Sequence, residues 1–240
     1  MLSCLAGSIN SVLLSISKSD IKCKHMDITY LGHSSFRIHG KSATVITDPF
    51  DPTGVGLKFP KHTEADVVTV SHEHKDHNAI DQIEGSPIIV RGAGEYDVKG
   101  VGIVGIGAYH DEQKGSEHGK NTLYRIEIDG ISIVHTGDLG HMLSAQDIDT
   151  LDGVNVLMVC VGGGHSLDAS KAIQLINEIE PSIVIPMHYG RKELSQSTFG
   201  HLAPLDVFLK EIGKPDVTAI SKLVLTKDKL PVDTQVVVLE

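Results

Sequence analysis

The sequence predicts a mixed α/β (α+β) protein in which helices cover stacked β-sheets. Three observations carry this reading. Short apolar strands crowd the first half, strands and helices alternate in the second, and the apolar residues are aliphatic: Trp is absent and aromatics make up only 4%. Strands followed by alternating helices and strands favour sheets with helices on their outer faces. A length of 240 residues, 40% apolar and 22% charged, suits one sizeable domain.

The strands after Met26 are Ile28 to Leu31, Ser35 to His39 and Thr44 to Thr47, punctuated by Gly32 and Gly40; their closeness predicts antiparallel pairing. Val67 to Val70 is a continuous apolar strand, after which Asn78 is placed to cap a short helix through Ile80 and Ile83. Pro87 to Val90 and Gly102 to Ala108 read as further strands, followed by a polar loop from His110 to Lys120. Asp129-Gly130, between Thr122 to Ile128 and Ile131 to Thr136, is a hairpin signal. Then come strand Val154 to Val161, helix Asp168 to Glu180, strand Ile183 to Ile185, helix Pro204 to Ile212, and strands Leu223 to Thr226 and Gln235 to Leu239.

Residues 1–25 are Ser-rich and weakly patterned, and lack the basic start, long apolar stretch and cleavage site of a secretory signal. They are expected to be a dispensable N-terminal extension, disordered or not native, with Met26 as an alternative start; residues 26–240 form the domain. A formal charge of -10 argues against a protein that grips nucleic acid through its phosphates. No apolar run approaches the roughly 20 residues that span a bilayer. Cys4, Cys23 and Cys160 form neither a zinc-ribbon nor a disulfide spacing, which fits a reducing cytoplasm.

The chemistry concentrates in Ser71-His72-Glu73-His74-Lys75-Asp76-His77, directly after the strand pattern. His72 and His74, two apart, point to the same side of an extended segment, while Asp76 and His77 follow where the chain turns and can reach a second ion. Imidazole and carboxylate suit zinc, with manganese or iron as alternatives. The competing reading is a solvated polar loop, against which the closing Asp-His and the preceding buried strand both argue. Two ions need further ligands, and His110, Asp138 and His188 each sit at a strand-to-loop change.

Together with His72-x-His74-x-Asp76-His77, these residues resemble the metallo-β-lactamase superfamily over most of 26–240. Tyr30-Leu31-Gly32-His33-Ser34-Ser35-Phe36, Asp48-Pro49-Phe50, Gly137-Asp138-Leu139-Gly140-His141 and Pro186-Met187-His188-Tyr189 resemble the branch containing ascorbate-6-phosphate lactonase. The resemblance implies a four-layer αββα sandwich with the site at one rim. It implies one ion held by His72, His74 and His110, a second by Asp76, His77 and His188, and Asp138 bridging them. It also implies a metal-dependent hydrolase of a small ester, lactone or phosphoester substrate. A metal-bridged hydroxide attacks, because coordination lowers the pKa of water from about 15.7 to roughly 7 in favourable sites. Asp76 is the expected catalytic residue, orienting that hydroxide or carrying its proton.

Around the ligands, His33 is read either as lining the site or as a structural hydrogen bonder, and His141 as a substrate or outer-layer contact. Asp48 is expected to hydrogen-bond a ligand histidine. Asn121 and Arg191 flank ligand segments; Arg191 is read by default as solvent-facing, with pairing to an anionic substrate as the alternative. His135 reads as a satisfied buried residue, and His39, His62 and His118 as surface residues. Gly162-Gly163-Gly164-His165-Ser166 reads as a flexible turn with a Ser or Asp cap rather than a nucleotide cradle. The alternatives to a small-molecule hydrolase are a phosphodiesterase or nuclease, a non-catalytic metal-binding domain, and a redox di-iron site. A homo-oligomer is compatible with the chain, and its cytoplasmic, membrane-free character follows from the features above.

Overall fold

The computed structural model describes residues 25–240; the expected N-terminal extension lies outside the described residues except for its last position. The first sheet has six strands: β1 (Met26–Gly32), β2 (Ser35–His39), β3 (Thr44–Thr47), β4 (Val67–Val70), β5 (Ile88–Arg91) and, from the far end of the chain, β12 (Leu223–Leu225). Its order is β12-β1-β2-β3-β4-β5, antiparallel through β3 and parallel from there to β5. The second has seven: β6 (Gly94–Val98), β7 (Val101–Tyr109), β8 (Lys120–Ile128), β9 (Ile131–His135), β10 (Val156–Cys160), β11 (Ile183–Met187) and β13 (Gln235–Val236). Its order is β13-β11-β10-β9-β8-β7-β6.

The sheets face each other across Phe36, Ile38, Ile103, Tyr124, Ile126 and Met158, all buried. Strand β10 reads Val-Leu-Met-Val-Cys without polar alternation because both of its faces are covered. Val156 and Met158 enter the space between sheets, while Leu157 and Val159 pack outward against α3 (Ala169–Ile179) and α5 (Leu205–Glu211). The outer face of the first sheet is covered more thinly. Phe50, Phe59, Val68, Leu194 and Phe199 form its core, under the one-turn helices α1 (Pro52–Val55) and α4 (Gln196–Phe199). The architecture is the expected αββα sandwich, with one helical layer reduced to turns and loops.

Local chemistry explains most boundaries. Asp129 and Gly130 both take positive φ, 54° and 77°, as a tight hairpin turn requires. Asp168 caps α3 by accepting from the Lys171 amide at 2.9 Å. Besides the one-turn helices α1 and α4, two further elements were not in the sequence reading. Strand β6 was not expected: Gly94-Glu95-Tyr96-Asp97-Val98 is a polar, exposed edge strand that only pairing with β7 makes regular. Helix α2 (Ala145–Thr150) was also unexpected and rests on a capping box between Ser144 and Asp147. A third expectation is corrected: Asn78 caps no α-helix. Residues Ile80–Gln82 form a single 3-10 turn behind Ala79, and the Asn78 amide instead donates to the Glu73 side chain at 3.0 Å.

Strands β3, β4, β7, β9 and β11 all end at one rim, and so deliver Asp48, His72, His110, Asp138 and His188 to the same place. The inter-sheet core is what fixes that rim. Phe36→Ala removes a fully buried ring between the sheets and should destabilise the protein by about 3–5 kcal/mol in denaturant unfolding.

Candidate metal centre

The donor atoms converge in two sets. His72, His74 and His110 form one, with His72 Nε2 and His74 Nδ1 only 3.1 Å apart; Asp76, His77 and His188 fall in the other together with His33. The donor atoms of each set lie within 4.8 Å of one another. Asp138 lies between the sets: its Oδ2 is 3.2 Å from His110 Nε2, 3.2 Å from His77 Nε2, 3.1 Å from His188 Nε2 and 4.0 Å from His72 Nε2.

The outer partners settle which nitrogen of three of these rings faces inward. The Asp48 carboxylate is fully buried and accepts from His77 Nδ1 at 2.8 Å, leaving His77 Nε2 pointed at the centre. It also accepts from the Ser71 amide at 2.8 Å and the Ser71 hydroxyl at 2.5 Å. Because that hydroxyl donates to Asp48, it accepts from His72 Nδ1 at 2.9 Å and frees His72 Nε2. His110 Nδ1 donates to the His165 carbonyl at 3.2 Å, and again Nε2 is left inward. Such outer hydrogen bonds fix ring tautomer and aim metal ligands. Asp48 thus hydrogen-bonds His77 directly and reaches His72 through Ser71.

These residues fit a bound cation. His77 Nε2, both nitrogens of His188, and Asp138 Oδ1 are buried without hydrogen-bond partners. With their Nδ1 protons committed elsewhere, neutral His77 and His110 would present lone pairs to the Asp138 oxygen, a repulsion that a cation between them relieves. Burial, followed by neighbouring His77, lowers His72 to about 3, so it is a neutral imidazole near pH 7. Burial opposes ionisation of Asp138, yet His188 and His77 hold it well below the usual carboxylate range. At His77 burial is outweighed by Asp138 and Asp76, which raise it well above the usual imidazole value: the site calls for positive charge here.

Three non-glycine residues at the centre are held in the left-handed region, His33 at φ 57°, Asp48 at 40° and His188 at 52°. Such backbone is sparsely populated and persists where surrounding contacts over-determine it. The His33 carbonyl accepts from the Tyr30 hydroxyl at 2.7 Å and from the His188 amide at 3.0 Å, which locks two of the three together. His33 Nε2 donates to Asp76 Oδ2 at 3.0 Å. Burial and His188 lower His33 to about 4, so it acts as a neutral donor whose Nε2 proton is already committed.

The remaining sequence candidates separate. Asn121 is buried behind the centre, donating to the Thr136 carbonyl at 2.8 Å and accepting from the Asp138 amide at 3.1 Å. It presses so close that a Cβ on Gly137, at φ 56°, would lie 2.3 Å from its oxygen. His141 contacts neither the ligand atoms nor the cavity beside them; it accepts from the Tyr109 amide at 3.1 Å and steadies the end of β7 before His110. Arg191 lies beside Tyr30 and Tyr189 and pairs with Glu193 at 3.6 Å. His135 is buried and satisfied, donating to the Ser34 carbonyl at 2.7 Å.

A cavity of about 240 Å³ opens over Asp76, Asp138 and His188, and its wall was not legible in the sequence. His118, His165, Phe199 and His201 come to it from three separate segments, Phe199 from the end of α4. His118, expected at the surface, is half-buried with its ring 3.7 Å from that of His165. Asp111 sets that loop: its carboxylate accepts from the amides of Gln113, Gly115, Glu117 and His118 at 2.7–3.1 Å. After the Gly162–Gly164 turn, Asp168 caps the first turn of α3, and Gly164 gives room to the His201 ring.

The fold and the rim therefore define a metal-site protein of the αββα class, and comparison with known proteins gives the family. The model described as the beta-lactamase superfamily domain matches residues 27–188. The chain belongs to the metallo-β-lactamase superfamily. A structure of a superfamily member from Thermotoga maritima, whose proposed activity is Zn-dependent hydrolysis, is 34% identical with TM-score 0.74, covering 90% of this chain and 99% of that one. The UPF0173 metal-dependent hydrolase of Thermoplasma acidophilum is 24% identical over 80% of this chain and 98% of its own length. That of Methanoculleus marisnigri is 30% identical over 68% and 81%. No helix among the described residues is long and apolar enough to cross a membrane.

Asp48→Ala should weaken metal affinity about 10- to 100-fold, measured by titration against a chromophoric chelator, because it frees two ligand rings. Asp111 gives a separate test. Burial raises its carboxyl, but the four amides outweigh this and hold it at about 2. Its contribution is complete above the ordinary carboxylate value of about 3.9 and is lost as pH falls through about 2. Asp111→Ala should speed amide exchange across residues 113–118 at neutral pH.

Proposed function

We propose that this chain is a metal-dependent hydrolase that holds two divalent ions, zinc or manganese, and cleaves a small ester, lactone or phosphoester. The observation that carries the reading is one buried carboxylate oxygen, Asp138 Oδ2, set among inward-facing nitrogens from both donor sets. In this reading His72, His74 and His110 hold one ion, Asp76, His77 and His188 hold the other, and Asp138 serves both. Ions so placed supply Lewis acidity and bring the pKa of water toward neutrality.

The chain's own residues do the rest. Asp76 is the one carboxylate of the set with solvent access, its side chain 18% exposed and lining the 240 Å³ cavity. His77 and His33 hold it ionised against the effect of burial, far below the usual carboxylate range. Asp76 is therefore oriented to accept a hydrogen bond from a nucleophile, and His33 fixes which of its oxygens is already engaged. Phe199, against the His33 ring at 4.8 Å, shields that contact from water. The formal charge of -10 favours a small-molecule substrate over nucleic acid.

Metal analysis of protein purified without added metal, paired with assays on a lactone, a thioester, a carboxylic ester and bis-p-nitrophenyl phosphate, tests the proposal. His74→Ala and Asp138→Ala should lose both metal and turnover. Full activity in a metal-free variant overturns the reading, and exclusive phosphodiester cleavage moves it to a phosphodiesterase. Asp76→Asn should lower kcat on the order of a hundred- to ten-thousand-fold.

A further inference from the structure

A second, larger cavity adjoins the one over Asp76, sharing His74 and His118 with it, and most of its lining takes no part in the metal centre. Its volume is about 820 Å³, within the range of about 300–1,000 Å³ that small-molecule sites occupy. It continues the space between the two sheets beyond the core, from Val70 and Thr122 at its floor out to the rim. Its walls are Gly92, Ala93, Gly107, Ala108 and Tyr109, which offer small apolar surface and one aromatic ring. Arg91, ion-paired with Glu73, and Lys120 are its charged groups.

The glycines of β7 show that the opening is specific. Gly105 has a structural reason, since a Cβ there would lie 2.4 Å from the Gly92 carbonyl oxygen. Gly107, two residues on, has none: its φ is not in the left-handed region, and a Cβ would meet only Ala93 Cβ, at an ordinary 3.8 Å. Glycine inside a strand weakens it and packs nothing. At Gly107 its effect is to leave the slot unfilled, directly across from Ala93.

We infer that this slot binds the apolar acyl arm of the substrate, so that the chain prefers esters of medium-length fatty acids over short ones. The inference rests on the hydrolytic reading above and narrows it. His72 and His74 line the inner end of the slot, so an arm lying in it places its acyl carbon beside the metal ligands. An apolar chain suits the inter-sheet end, where uncharged walls gain by losing water. Turnover adds water across the acyl C–O bond and releases a carboxylic acid and an alcohol, with no other reactant.

The test uses the full chain loaded with zinc, its Gly107→Leu and Ala93→Leu variants, Nile red as an apolar probe, and p-nitrophenyl acetate and octanoate as substrates. The parent should bind Nile red and favour octanoate in kcat/KM by about tenfold or more. Each variant should weaken probe binding about tenfold and bring the octanoate-to-acetate ratio towards one, with metal content retained and Tm unchanged or raised. Equal probe binding in parent and variants, or turnover in the parent without preference for octanoate, overturns the slot. No ester turnover in the zinc-loaded parent, with lactone or phosphoester turnover intact, overturns the acyl-arm assignment and leaves the hydrolytic reading standing, whereas no turnover of any of these substrates overturns the hydrolytic reading as well. Ala93→Leu fills the same space from the facing wall, which keeps the test valid should Gly107→Leu fail to fold.

Discussion

Everything at the rim hangs on the Asp48 carboxylate. It sits at the end of β3 with no solvent exposure, in a left-handed conformation that an aspartate adopts at a cost. Its oxygens accept from Ser71 twice and from His77 once, and through Ser71 they reach His72. One buried anion thus ties β3 to the segment after β4 and aims a ring from each donor set. Burial disfavours its charge, but His135 and His77 outweigh that and keep the carboxyl ionised. The core and the candidate metal centre meet at this side chain.

The fold supplies what Asp48 cannot. Two sheets packed through an aliphatic core end their strands at a common rim, and there a few positions depart from regular structure. His33 and His188 are linked by a backbone hydrogen bond, so a turn of the first sheet and a strand end of the second share their strain. Asp138 depends in the same way on Asn121 and on a glycine that lets the two approach. Rigid strands and strained ends together hold donor atoms close without relying on the ligands for order.

The same architecture leaves two different spaces beside the ligands. One is small, walled by histidines and Phe199, and open to Asp76. The other is an unfilled end of the inter-sheet layer, apolar because the core is apolar and vacant because Gly107 and Ala93 do not fill it. The two spaces meet at His74 and His118. The loop closed by Asp111 borders both, His118 lining each and Gly119 with Lys120 lining the larger.

How much of this was legible depended on whether the determining contacts are local. The hairpin at Asp129-Gly130, the cap at Asp168 and the doubly buried run of β10 follow from backbone preference and burial over a few residues, and the sequence alone determined them. The His72–His77 run and the strand-end positions of His110, Asp138 and His188 were legible for the same reason. Edge strand β6 and helix α2 were not, since one needs its partner strand and the other is a short polar turn. Tertiary structure alone decided that Asp48 serves two rings, that Arg191 and His141 turn away, and that His118, His165 and His201 gather at one mouth. These depend on distances between segments far apart in the chain, which only the packing of the two sheets sets.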